Sequence, residues 1–219
     1  MADDGRQRAW AAAGAHAAAL VDDGMRVGLG TGRAAAAGIR ALGERVAGGL
    51  RITGVATSRA SAELARELGI PLDDMGPPLD LAFDGADAVD PDGLVVKGAG
   101  GAHVRERVVA DAAARFLVLV DAPKLVRGLD EWGTLPLAVV PFAVRRVVDV
   151  LADCAPRVRD ARSDDGMALV DLSPPPGGEW AALAARARAV PGVLDHGLFR
   201  VALADVIVGA EDGTAAPAR

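Results

Sequence analysis

Arg26-Val27-Gly28-Leu29-Gly30-Thr31-Gly32-Arg33 carries a short apolar strand into a glycine and threonine turn, and residues 34–46 read on from it as a helix. Strand, tight turn, helix is the repeating unit of a parallel α/β sheet. The same unit recurs outward from it. Residues 52–56 read as a strand, and Thr57 or Ser58 can cap a helix over 60–68. Strands follow over 79–83, ending at Asp84, and over 94–96, ending at Lys97. A helix over 104–114 precedes the most apolar strand, 116–120, which ends at Asp121. The expected fold class is therefore α/β, a Rossmann-like, mostly parallel sheet with helices on both faces. Ligands of such sheets sit beyond the carboxyl ends of the strands, where Thr31, Asp84, Lys97 and Asp121 fall.

From about residue 135 the pattern changes. Strands are expected over 137–141 and 168–172, and helices over 144–152 and 179–189. This order suits a smaller α+β, ferredoxin-like inserted domain. The proline-rich stretch 173–178 reads as a turn, and 201–208 as a strand returning to the main sheet. The expected division is a catalytic α/β domain over 1–133 and 204–219, with the small α+β domain over 134–203.

Of the 219 residues, 51% are hydrophobic but only 3% aromatic, so the core must be built from Ala, Val and Leu. A formal charge of −6 argues against a nucleic-acid surface. An anionic small molecule stays open, because local groups decide its binding. Cys154 is the only cysteine, which excludes an intrachain disulfide and is expected to be a buried, inert thiol. The alanine-rich run 9–21 contains His16 and ends in Asp22-Asp23-Gly24, so it reads as a helix closed by Gly24 and not as a membrane span or signal peptide. A cytoplasmic protein without membrane contact is expected.

Gly28-Leu29-Gly30-Thr31-Gly32-Arg33 fits a dinucleotide fingerprint only in part, since its third glycine falls on Arg33. The second strand also ends in Thr57-Ser58, without the acid that would hold a ribose. A nicotinamide cofactor is therefore not expected, and no Walker-type Gly-Lys-Ser/Thr occurs. The turn still offers backbone N–H groups to phosphate or hydroxyl oxygens.

Asp84-Gly85-Ala86-Asp87, Lys97-Gly98-Ala99-Gly100-Gly101 and Arg105-Glu106 concentrate acid, base and anion-stabilising groups within one segment. Taken singly each has a bland reading: an Asx turn for the aspartates, helix N-terminal charge for Glu106. Together at strand ends they point to a working site. His103 reads as a solvent-facing residue near the helix start. His16, His103 and His196 show no metal-ligand spacing, so no metal is expected.

These segments, with Val120-Asp121-Ala122-Pro123-Lys124 and Val190-Pro191-Gly192-Val193-Leu194-Asp195-His196-Gly197-Leu198-Phe199, resemble the type A ribose-5-phosphate isomerases from about Gly24 to Gly209. The resemblance implies interconversion of ribose 5-phosphate and ribulose 5-phosphate without metal or cofactor, in a homodimer or homotetramer. It implies that Glu106 is the base, that Lys97 stabilises the enediolate oxygen, and that Asp84 and Asp87 handle hydroxyls. It further implies substrate contacts from Thr31, Gly32, Arg33, Ala34, Gly85, Ala86, Gly98, Ala99, Gly100 and Lys124. The chain departs from the family pattern where Arg33-Ala34 replaces Ser-Thr, where Arg6-Gln7-Arg8-Ala9-Trp10 lacks a lysine, and where Ala99 interrupts the glycine run. Ala138 and Met167 depart likewise, in place of a glutamate and an asparagine. If Ala99 had to adopt positive φ, it would be strained. The competing readings are an isomerase or epimerase of another phosphorylated sugar, a non-catalytic sugar-phosphate binder, and a coenzyme A transferase with a carboxylate nucleophile.

Overall fold

The computed structural model describes residues 2–174 and 177–218. Pro175 and Pro176, and with them the middle of the 173–178 turn, lie outside the described residues. The chain divides into two compact units, one of Met1–Ala86, Arg105–Leu125 and Val201–Arg219, the other of Asp87–Val104 and Val126–Arg200.

The first unit holds α1 (Ala2–Ala19), β1 (Arg26–Leu29), α2 (Arg33–Ala47), β2 (Thr53–Ala56), α3 (Arg59–Glu67) and β3 (Leu81–Gly85). The second unit begins with β4 (Ala88–Val89) and β5 (Leu94–Val96), and the chain returns to the first unit with α4 (Val104–Ala112), but for its first residue, and β6 (Phe116–Asp121). Later in the chain come β7 (Leu135–Val139), α5 (Val144–Val150), β8 (Arg157–Arg162), β9 (Ala168–Leu172), α6 (Trp180–Arg188), β10 (Val193–His196) and β11 (Leu198–Arg200). The chain closes with β12 (Val206–Gly209) and β13 (Ala215–Pro217) in the first unit.

The main sheet runs β13-β12-β6-β3-β1-β2. Every neighbouring pair is parallel except β12 and β13. A sheet covered on both faces has no wet side, and β6 accordingly reads Phe-Leu-Val-Leu-Val-Asp with all but its first residue buried. Ala9, Ala13 and Ala17 recur at i+4 along α1 and are almost fully buried. The small side chains of Ala13 and Ala17 seat the helix in the core with Ile39, Leu42 and Phe83. Burying each of those larger side chains stabilises the fold by roughly 1.5–3 kcal/mol.

In the second unit β10-β7-β9-β8 form an antiparallel sheet. With α5 and α6 the element order is β-α-β-β-α-β, the ferredoxin-like arrangement expected from sequence. Its core gathers Leu135, Leu137, Val147, Leu151, Val170 and Trp180, together with Cys154. Cys154 is 1% exposed, buried as expected, and burial pushes its thiol pKa up.

Several elements depart from the sequence expectation, among them the strand β8, which it did not offer. The first helix starts at Ala2, not at residue 9. The return to the main sheet is β12, at Val206–Gly209, and β13 extends it by an antiparallel edge strand. Residues 87–104 group with the second unit, whereas the sequence division leaves them with the first; strand pairing is the reason. β5 is bonded to β4 on one side and to β11 on the other, in a separate three-stranded sheet.

Candidate active site

The turn after β1 and the end of β3 meet through one carboxylate. Asp84 is 1% exposed, and its Oδ1 accepts hydrogen bonds from the backbone N–H of Thr31 at 2.8 Å and of Gly85 at 2.7 Å. Such amide donors hold the carboxylate in one orientation. Gly30 is what permits the approach. A Cβ there would stand 2.4 Å from Asp84 Cγ and 2.4 Å from the Phe83 carbonyl oxygen, closer than real Cβ contacts reach. The Thr31 hydroxyl shares a 2.7 Å hydrogen bond with that of Thr57, and the Ser61 hydroxyl donates to the Gly30 carbonyl. Ser58 caps α3 by accepting from Ser61 N–H at 3.1 Å, as its sequence position suggests.

Arg33 opens α2, and its guanidinium lies 4.4 Å from the centre of the Trp10 ring. Arg6 approaches the same ring at 5.2 Å, while its Nε donates to Asp121 Oδ2 at 2.8 Å. A cavity of about 880 Å³ is bordered by Trp10, Thr31, Gly32, Arg33, Arg40 and Ser61. Stacking on Trp10 leaves the guanidinium edge available for planar, bidentate contact with an anion. Ala34 is buried at 7% behind the turn, and Lys124 closes the short 3₁₀ turn after β6. Glu106 sits in the first turn of α4 and is 5% exposed.

In the second unit Lys97 follows β5 and is 2% exposed. Its backbone N–H donates to the Gly197 carbonyl at 2.8 Å, and its Nζ lies 5.9 Å from the centre of the Phe199 ring. The loop that follows returns to Asp87, whose Oδ2 accepts from the Ala99 N–H at 2.9 Å. Ala99 escapes the strain its position suggested, because Gly98 at φ +110° and Gly101 at +82° carry the left-handed turns instead. Within the first unit Asp84 and Thr31 are thus joined by a hydrogen bond, and within the second Asp87 and Ala99 are. Among the described residues no group of three or more His, Cys, Asp or Glu side chains is arranged to hold a metal ion. Nor is any helix among them long and apolar enough to cross a membrane.

His103 corrects an expectation. It is 4% exposed, not solvent-facing, and it holds φ at +39°, unusual for a residue with a Cβ. Neither ring nitrogen has a hydrogen-bond partner of ordinary geometry, although the Gly98 backbone beside it slightly favours the protonated form. Burial first, then the Arg159 guanidinium, push the imidazole pKa from 6.5 down to about 4, against the smaller pull of Asp171 and Asp195. The unfolded imidazole takes up a proton near pH 6.5 while the native one waits until about 4, so native stability falls as pH drops through that window. The linked loss is about 2 kcal/mol at pH 5. His103→Leu is expected to flatten the dependence of melting temperature on pH between 7 and 5. Equal pH slopes for variant and parent would contradict this account.

Two further residues of this region were not picked out from sequence. Arg159 on β8 reaches the loop after Lys97, and Asp171 on β9 reaches Arg159. Neither belongs to a recognisable motif, and only spatial proximity reveals them.

Residues 53–213 match the family described as ribose 5-phosphate isomerase A (phosphoriboisomerase A). A relative named ribose-5-phosphate isomerase A from Thermomicrobium roseum is 45% identical, over 95% of this chain and 93% of its own length. Another of that name from Natronomonas pharaonis is 46% identical over 92% of each chain. Among solved structures, ribose 5-phosphate isomerase A from Methanocaldococcus jannaschii superposes with a TM-score of 0.86 at 34% identity, covering 93% of this chain and 95% of that one. A D-ribose-5-phosphate isomerase in complex with phospho-erythronic acid superposes with a TM-score of 0.84 at 30% identity, with the same coverage. The fold is therefore shared with near-full-length relatives, and the chain belongs to the ribose 5-phosphate isomerase A family.

Proposed function

We propose that this protein interconverts ribose 5-phosphate and ribulose 5-phosphate through an enediolate intermediate. The observation that carries the reading is the burial of Asp84, Lys97 and Glu106, at 1%, 2% and 5% exposure. Withdrawing three ionisable groups from water is costly, and proteins concentrate that cost where chemistry is done. The solved relative that holds phospho-erythronic acid, a phosphorylated four-carbon sugar acid, supports a phosphorylated sugar as the ligand here.

An aldose–ketose shift needs a base that carries one proton between neighbouring carbons and a positive group that stabilises the oxyanion formed meanwhile. Glu106 takes the proton from carbon 2 of the aldose and returns it to carbon 1. Lys97 stabilises the negative charge on the enediolate oxygen. Asp84, fixed by two backbone amides, and Asp87, held by the Ala99 N–H, bind hydroxyls and assist ring opening and oxygen protonation. Thr31, Gly32, Arg33 and Ala34 at the α2 turn, with Lys124, take the phosphate and neighbouring oxygens, and Gly85, Ala86, Gly98, Ala99 and Gly100 complete the contacts. Arg33, stacked on Trp10, supplies the bidentate donor that the usual Ser-Thr pair lacks. We carry a homodimer or homotetramer as the assembly and the cytoplasm as its location, where a charged sugar phosphate is retained.

Incubation with ribose 5-phosphate in deuterated water tests the reading. Ribulose 5-phosphate should form with deuterium at carbon 1, and the recovered ribose 5-phosphate should carry deuterium at carbon 2. Absence of both product and label would overturn the assignment, and a panel of other pentose and hexose phosphates would then locate a changed substrate.

A further inference from the structure

Arg159 spends its whole guanidinium on the loop after Lys97 and on one carboxylate. Its Nη1 donates to the carbonyl oxygens of Gly98 at 2.9 Å and Ala99 at 3.1 Å. Its Nε and Nη2 donate to Asp171 Oδ2 and Oδ1 at 2.8 and 2.6 Å, a two-pronged ion pair with both side chains largely withdrawn from solvent. The pair is built by an irregularity in the sheet. Val158 pairs with Val170 and Arg162 with Ala168, so β8 spends two more residues than β9 over that step. Bulges of this kind re-aim side chains, and Arg159 lies inside it.

The consequence follows from peptide geometry. Among the described residues no peptide bond is cis, so each of their carbonyls points opposite to the N–H of the residue after it. The Gly98–Ala99 peptide therefore stands between two charges, its oxygen accepting from Arg159 and its N–H donating to Asp87 at 2.9 Å. Pulling electron density toward the guanidinium polarises the N–H that holds the aspartate. The Ala99–Gly100 peptide is gripped by the same nitrogen, which turns the Gly100 N–H away from Arg159. The His103 ring fills the other side of the turn: a Cβ on Gly98 would meet its atoms at 2.6–3.0 Å. Gly101 N–H closes the turn onto the Gly98 carbonyl at 3.1 Å.

We propose that Arg159, braced by Asp171, is a positioning residue for the reaction: through the Gly98–Ala99 peptide it sets the Asp87 carboxylate and the orientation of the loop amides. The inference rests on the isomerase reading for its kinetic consequence but not for its structural one, and the two can be tested apart. Hydrogen exchange reads the structure without substrate. In Arg159→Ala the Ala99 amide should exchange at least about tenfold faster, with amides of β6 unchanged. Kinetics with ribose 5-phosphate reads the consequence. The kcat of Arg159→Ala should fall about 10- to 100-fold with KM changed far less. Added guanidinium ion, at concentrations that leave the melting temperature unmoved, should restore several-fold of it. Asp171→Asn keeps the guanidinium but loosens its brace, and a smaller kcat loss in the same direction is expected; this variant decides the matter should Arg159→Ala not fold. Unchanged Ala99 exchange overturns the proposal, as does a kcat within threefold of the parent in both variants. A loss that neither guanidinium nor Arg159→Lys relieves, accompanied by general loosening of β6, marks a merely structural arginine and also overturns it. A parent protein that does not isomerise ribose 5-phosphate sinks the functional reading alone, with the exchange result still standing.

Discussion

Glu106→Gln is expected to lower kcat by at least about 10³-fold, toward the upper end of the ~10²–10⁴ that one positioned base contributes. Glutamine matches glutamate in size and keeps two polar ends, so the 5% exposed site should hold its packing. What it loses is the capacity to take a proton from carbon 2. Binding of a phosphorylated sugar acid, measured by calorimetry, should therefore stay within a few-fold of the parent. The decisive readout is exchange: no deuterium should enter carbon 2 of ribose 5-phosphate in deuterated water. Turnover above a tenth of the parent would remove Glu106 from the base role and direct attention to Asp84 and Asp87.

Lys97→Met should cost about 10²–10³-fold in kcat, the range typical of removing one preorganised donor to a developing oxyanion. Methionine replaces most of the apolar stem while deleting the charge, and Lys97 is among the most completely buried of the large side chains at 2% exposure. A buried ammonium costs desolvation, but removing it leaves the groups it interacts with uncompensated, so a modest fall in melting temperature is expected while soluble protein still forms. Steady-state kinetics combined with thermal unfolding checks both halves. A large fall in melting temperature with a proportionate loss of soluble protein would mean that Lys97 is needed for folding, against the role assigned to it. The two substitutions also differ in kind. The Gln variant should stop carbon-bound exchange altogether, whereas the Met variant should slow it in step with turnover.

Much of this site was legible because its physics is local. Asp84 and Lys97 each follow an apolar strand, and Glu106 stands in the first turn of a helix; strand ends and helix starts can be read from hydrophobic runs and their breaks. The Ser58 cap was legible for the same reason. The strand Arg157–Arg162 was not, because it is an exposed, charge-rich edge strand, and its pairing depends on β9 rather than on a face of its own. His103 was misread as solvent-facing for a related reason. A polar residue beside a helix start is ordinarily exposed, whereas here the ring is buried with the Gly98 backbone against it.

By itself the sequence determined the alternation of strands and helices, the change to a smaller α+β insertion, and the acid, base and glycine residues of the proposed site. These follow from periodicities and turn chemistry carried by neighbouring residues. Tertiary structure alone decided that Gly30 lets Asp84 take two backbone amides, that Trp10 holds Arg33, and that Arg159 grips the loop after Lys97 from about 60 residues away in the chain. Each of those depends on which distant segments the fold brings within hydrogen-bond or van der Waals reach, and no local pattern in a chain encodes that distance.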